Sequence, residues 1–324
     1  MAEEPQLWVP PGRRFPVAWL VRVLVSALVL GVTLWLLPTR EVWGTIRGLP
    51  PGVWLFSLCV FLLGHVVSAL KWRLLIGDRG EVPMQAAFRA HIAGLVANLC
   101  LPGAAGGDVV RAGLVIRGAS DRARVVAGSL ADRIVDTLSV FGLACLGAAL
   151  STGDQAPGAV LLRVGGVLAL LAAGGFGLAL ILRRLPPEGR VGRSIHELGS
   201  SLVALRRRPG SLALCFGLSL AVQTAFVGVN ILLASQSGVS VSPAAWFFAW
   251  SAAKLLAVLP ISAGGLGVRE ASLAAFLAPF GAPPERVVAV GLVWQSILLA
   301  GGLLGGLLLM LVLRSRRREV QAAK

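Results

Sequence analysis

"LPGAAGGDVVRAG" runs from Leu101 to Gly113, and "LPISAGGLGVREA" runs from Leu259 to Ala271. Aligned without gaps, the two share Leu, Pro, Ala, Gly, Gly, Val and Arg, at a separation of 158 positions. Proline removes a backbone donor and paired glycines loosen a helix. The chain is therefore expected to turn at Pro102, Gly106 and Gly107, and again at Pro260, Gly264 and Gly265. Each motif interrupts an apolar region, Met84–Arg117 and Pro243–Pro279. The arms on either side hold roughly 11–17 residues, short of the roughly 20 that a spanning helix needs. Two re-entrant helical hairpins are the favoured reading, with two complete crossings per region as the alternative.

Outward from these motifs the chain is apolar almost throughout. Of 324 residues, 56% are hydrophobic and only 14% charged, and the mean hydropathy is +0.82. A soluble domain would carry about 25% charged residues. Six full spans are expected: Val17–Leu37, Gly52–Leu70, Val125–Leu150, Ala159–Leu182, Ser211–Ala234 and Val287–Leu313. Arg13 and Arg14 before the first of them resemble the start of a signal peptide. The run is too long for one and lacks a small-residue cleavage site, so a retained first span is expected.

The fold expected is an all-α polytopic membrane protein, one integral domain over 1–324. Each half, 17–150 and 159–313, reads as three spans plus one hairpin. An odd number of crossings starts the second half on the opposite side, which makes the halves inverted repeats. Loop charge gives an independent orientation. With the N-terminus inside, twenty-one basic residues fall on the cytoplasmic side, Lys71, Arg73 and Arg111 among them. Only Arg40, Arg47 and Arg286 fall outside, so both termini are expected in the cytoplasm. The net charge of +15 is read in these terms, and no basic-aromatic module points to nucleic acid. In the basic connector 183–210, Val191, Ile195, Leu198, Leu202 and Leu205 share one helical face. An interfacial helix and a plain surface helix both fit.

Gly301, Gly302, Gly305 and Gly306 form overlapping GxxxG pairs in the last span. They permit close packing within the chain or against a second protomer in a homodimer. Cys59, Cys100, Cys145 and Cys215 lie in apolar runs, and His65, His91 and His196 show no ligand spacing, so no metal and no cofactor is expected.

Ionisable residues at membrane depth are costly, which makes them site candidates. In "SLADRIVDTLS", Asp132 and Asp136 share a helix face with Ser129 and Ser139, and Arg133 is placed to neutralise one carboxylate. The stripe reads either as an internal ion pair or as a polar path for a headgroup or cation. Asp108 is expected to cap the helix that restarts after the first Gly-Gly, and Arg111, one turn on, is suited to hold a phosphate. A simple Asp108–Arg111 pair is the alternative. Arg269, with Glu270 beside it and Lys254 on the preceding arm, is the repeat-mate of Arg111. The two Arg are expected to form one positive site if the hairpin tips meet. No Walker loop, GxGxxG after a strand or Ser-His-Asp set is present, and the protein is not expected to be an enzyme.

"LKWRLLIG", "LPGAAGGDVVRAGLV", "SLADRIVDTLS" and "LPISAGGLGVREAS", in that order, resemble the flippase-like membrane domain of lysylphosphatidylglycerol synthases. The resemblance covers about residues 15 to 315. It implies a bacterial inner-membrane protein that moves an anionic or modified phospholipid, or a polyprenyl-linked lipid, between leaflets. It also implies functional roles for Arg111, Asp132, Arg133, Asp136, Arg269 and Glu270. Asp108 stands where family members often carry Glu. The aminoacyltransferase domain of the full synthases has no counterpart here, which puts lipid synthesis in doubt. A membrane transferase acting on lipid-linked substrates, and a helper subunit of a separate lipid synthase, are the alternative functions.

Overall fold

The computed structural model describes residues 17–76, 82–100, 106–119, 121–151, 165, 208–257 and 265–322. Among them are ten α-helices, numbered here in chain order. The first half holds α1 (Val17–Leu36), α2 (Thr39–Gly48), α3 (Pro51–Ile76), α4 (Met84–Cys100), α5 (Gly106–Ile116) and α6 (Arg122–Leu150). The second holds α7 (Pro209–Gln236), α8 (Pro243–Ala257), α9 (Val268–Leu277) and α10 (Pro284–Ala322). Four helices are long and apolar enough to cross a membrane: α3, α6, α7 and the Pro284–Leu311 part of α10. The expected span Ala159–Leu182 apart from residue 165, the connector 183–210 up to Arg207, and the tip residues Pro102, Pro260 and Gly264 lie outside the described residues.

Each motif region holds two short helices, α4 and α5 in the first and α8 and α9 in the second, and Gly106 and Gly107, expected at the first turn, instead open α5. In the first, α4 and α5 run antiparallel and nearly touch. A Cβ on Gly94 would lie 2.7 Å from the carbonyl oxygen of Gly107, so glycine is required on this face. In the second, α8 and α9 turn through Gly265 and Gly267, both at positive φ (80° and 83°) that side chains resist. A Cβ on Gly265 would also lie 2.7 Å from that of Ala257.

Helices in lipid gain little from burying apolar surface and associate through close van der Waals packing at small residues. The long helices follow this rule. Gly128 of α6 meets the backbone of Leu75 and Ile76 on α3, and Gly147 meets the backbone of α8 at Ala244. Gly64 of α3 faces the ring of Phe226 on α7. The glycines of α10 are used inside the chain: Gly301 faces Phe61, Gly305 faces Ile92, and Gly306 faces Val96. An aromatic cluster of Phe61, Phe226, Trp250 and Trp294 joins α3, α7, α8 and α10 at the centre.

Helix α6 shows how the bundle is turned inside out relative to a soluble one. Leu130, Ile134 and Leu138 form an exposed stripe at four-residue spacing, while Asp132 and Ser139 are buried. Apolar surface faces outward and polar side chains face the interior, as a lipid environment demands.

Three expectations are corrected. Thr39–Gly48, read as part of an outer loop carrying Arg40 and Arg47, is the short helix α2, which packs on α10 and buries Val42. Lys71, counted as a loop charge, is inside α3, which continues to Ile76; its side chain is 2% exposed. Arg111, counted with the loop charges as well as with the site, is 4% exposed.

Candidate functional site

The site begins with α6. One helical turn separates Asp132 from Asp136, so both carboxylates point to the same side, toward α3 and α5. Lys71 of α3 reaches between them, 3.2 Å from Asp132 Oδ1 and in close ion-pair contact with Asp136. Asp136 also accepts a hydrogen bond from the Ser219 hydroxyl on α7. The second oxygen of Asp132 accepts from Arg111 Nη2 at 2.9 Å. Arg111 then reaches Asp108, one turn earlier on α5, at 3.1 Å. Asp108 in turn accepts from Arg133 of α6. Three carboxylates and three cations thus form one chain of ion pairs across three helices. Buried charges persist only when paired in this way.

Of the two readings of Asp108, a cap of α5 and a pair with Arg111, the structure shows the pair: Asp108 lies inside the first turn of α5, where its carboxylate is taken by Arg111 and by Arg133. The free N–H of Gly107 is satisfied instead by Asn98 Oδ1 of α4, at 2.8 Å. Arg133, expected to neutralise Asp132 or Asp136, forms an ion pair with Asp108 across to α5.

An aromatic and imidazole shelf completes this corner. The Arg111 guanidinium lies 4.5 Å from the Trp72 ring centroid, a cation–π distance. Trp72 donates its indole N–H to Ser129 Oγ at 3.0 Å. His91 of α4 approaches Arg111 Nη1 through Nδ1 at 3.4 Å and His65 Nδ1 through Nε2 at 3.1 Å. Arginine only donates, so His91 Nδ1 is the acceptor and its proton sits on Nε2. That proton is donated to His65 Nδ1, and both rings are neutral. Lys71, Trp72, His65, His91, Ser219 and Gln223 were not named as site residues from sequence.

Part of this network lines a cavity of about 210 Å3. Its walls include Asp108, Arg111, Asp132, Arg133 and Asp136 from the first half and Gln223 and Lys254 from the second. Lys254 of α8 donates to Gln223 Oε1 of α7 at 2.6 Å. An apolar cavity of about 240 Å3 adjoins it, lined by Leu62, Val66, Ile92, Leu304 and Leu308 among others. His65, His91 and Leu95 belong to the walls of both.

Arg269 and Glu270 are not among the residues lining this cavity. Arg269 is bound by the neighbouring Glu270, with Nε 3.1 Å from Oε1, and by Gln295 Oε1 of α10 at 2.9 Å. Its guanidinium lies 5.7 Å from the Trp250 ring centroid. The other oxygen of Glu270 accepts from the Gly267 N–H at 2.7 Å, which caps the start of α9. Glu270 is 1% exposed.

Of the eight residues expected at the site, six line one cavity and two form a closed pair elsewhere. No curated protein matches the chain. The model of a protein family described as the lysylphosphatidylglycerol synthase TM region matches residues 19–306. The chain is an integral membrane protein that belongs to the family of the lysylphosphatidylglycerol synthase transmembrane region.

Proposed function

We propose that the protein carries a lipid between the two leaflets of its membrane, with the headgroup in the charged cavity and the acyl chains against the apolar one. The observation that carries this reading is the wall shared by the two cavities. A polar space and an apolar space that meet at His65, His91 and Leu95 match an amphiphile, which must solvate its two ends differently. Soluble metabolites have no use for the second space. The family supports the lipid class, and candidates are an anionic or modified phospholipid or a polyprenyl-linked lipid.

The two pairs of short helices are proposed to be re-entrant hairpins in inverted repeats, with both termini cytoplasmic in a bacterial inner membrane. In this arrangement α5 and α8 bring Arg111 and Lys254 to one cavity from opposite repeats. Asp132 and Asp136 hold the cations in place and set the local charge. The chain acts as a transporter and makes no covalent change to the lipid.

Translocation of fluorescent phospholipids by the purified protein in proteoliposomes tests this. Intact protein accelerates translocation over protein-free vesicles, and Arg111→Ala lowers the rate at least tenfold. No translocation of any anionic, modified or polyprenyl-linked lipid by intact protein contradicts the function. An unchanged rate in Arg111→Ala contradicts the path.

A further inference from the structure

Among the hydrogen bonds of Arg111, one is longer than the others. Its Nη2 serves Asp132 and Asp108, at 2.9 Å and 3.1 Å. Its Nη1 reaches His91 Nδ1, a neutral acceptor, at 3.4 Å, beyond the usual range for such a bond. An imidazole nitrogen has one lone pair. At Nδ1 of His91 that pair accepts the Arg111 N–H or binds a proton, and cannot do both. His65 fixes which nitrogen this is. Its Nδ1 takes the His91 Nε2 proton at 3.1 Å, which leaves Nδ1 as the basic atom of His91. His91 and Arg111 both line the charged cavity.

A full negative charge is a better acceptor for a guanidinium than a neutral imidazole is. An anion in the cavity therefore competes for Arg111 Nη1 at its longest bond, before either carboxylate is disturbed. The lone pair of His91 is then free for a proton. Charged groups face the histidine pair from four helices. Positive charge comes from Lys71 on α3, Arg111 on α5, Arg133 on α6 and Lys254 on α8. Negative charge comes from Asp108 on α5 and from Asp132 and Asp136 on α6. Among the described residues of the two cavity walls, α7 and α10 present uncharged side chains, Gln223 and Leu304 among them. The cations oppose a positive charge on His91 and the carboxylates favour it; an anionic ligand adds to the second set.

We propose that His91 is a proton-binding residue of the cavity, that its Nδ1 takes a proton when an anionic ligand draws Arg111 away, and that ligand and proton therefore enter together. The inference rests on the transport reading above and adds the coupling ion, which that reading leaves open. Each of the two favours binding of the other. The proton is taken up with the lipid on one side and released on the other, when the lipid leaves and Arg111 returns to His91.

Two measurements test this. The first needs no ligand: nitrogen-15 spectra of the full-length protein in detergent, with labelled histidine and arginine. At neutral pH His91 is expected to carry its proton on Nε2. On acidification, uptake of a second proton by His91 and a shift of the Arg111 side-chain signals share one midpoint. Folded His91→Gln, which accepts from Arg111 but takes no proton, loses that shift. A proton on Nδ1 at neutral pH overturns the proposal. So does an Arg111 signal that stays put while His91 gains its second proton, or a His91 that stays neutral until the protein unfolds.

The second measurement places the protein in phosphatidylcholine vesicles with fluorescent phosphatidylglycerol and a pH step of one unit. Relative to protein-free vesicles, the probe is expected to gather in the leaflet facing the more alkaline side. One proton per lipid allows a ratio of up to about tenfold. Folded His91→Gln abolishes the gathering, whatever its rate of translocation. Translocation that ignores the pH step leaves the transport reading standing and overturns the coupling. Shared titration of His91 and Arg111 with no lipid translocated keeps the proton site and overturns the transport reading.

Discussion

The Arg111 corner and the Arg269 corner start from the same seven shared residues and end in opposite states. Both arginines lie over a tryptophan, at 4.5 Å and 5.7 Å from the ring centroids of Trp72 and Trp250. Arg111 draws its carboxylates from its own helix and from α6, so its ion pairs bridge elements and leave a cavity between them. Arg269 takes the carboxylate next to it in sequence, which is also spent on the Gly267 cap. Moving the acid from three residues before the arginine to one after it converts an open, shared network into a closed clamp. One copy of the motif builds a space and the other fastens α9 to α10.

The comparison can be broken at its strongest point by Glu270→Ala. Arg269 would lose its only carboxylate among the described residues, and α9 would lose its cap. A loss of about 3–5 kcal/mol is expected, as for a buried pair stripped of one partner. Thermal unfolding in detergent reads it. Asp132→Asn is expected to cost less, about 1–3 kcal/mol, because Arg111 keeps Asp108 and Lys71 keeps Asp136. That variant lowers translocation per folded molecule, whereas folded Glu270→Gln is expected to retain it. A larger stability loss in Asp132→Asn than in Glu270→Ala would remove the distinction between network and clamp.

Smaller effects refine the picture of the first corner. Gly94→Ala places a methyl 2.7 Å from the Gly107 carbonyl oxygen and 3.2 Å from Arg111 Cβ. Separating α4 from α5 in this way is expected to cost about 1–3 kcal/mol and to shift Arg111. Gly113→Ala, on α5 beyond Arg111, meets nothing within 4 Å. Its effect is expected to stay within about 0.5 kcal/mol, measured in the same unfolding experiment.

The parts of this arrangement legible in the sequence are those set by local chemistry. Long apolar runs marked α3, α6, α7 and α10, and Gly265 of the second Gly-Gly marked the turn before α9, while Gly106 and Gly107 open α5. The four-residue spacing of Asp132 and Asp136 put them on one face. What escaped was set by three-dimensional proximity. Lys71 sits at the end of an apolar run and resembles a boundary charge, yet α3 continues five residues beyond it and carries it inward. His65 and His91 are 26 residues apart on different helices, and no spacing rule brings them together. Lys254 and Gln223 likewise meet across α7 and α8. Amphipathic α2 was hidden by its low overall hydropathy, with Val42 as its one buried residue. The reach of Arg133 to Asp108 on α5 was likewise hidden, because adjacency in sequence shows only the acids of its own helix.

Two glutamines mark the two corners. Gln223 holds Lys254 at the cavity, and Gln295 holds Arg269 in the clamp. A photoreactive side chain placed at either position, in membranes containing the native lipids, reports directly which corner lipid visits. The account predicts that lipid cross-links at position 223 and not at position 295. Equal labelling at both, or labelling at 295 alone, would contradict it.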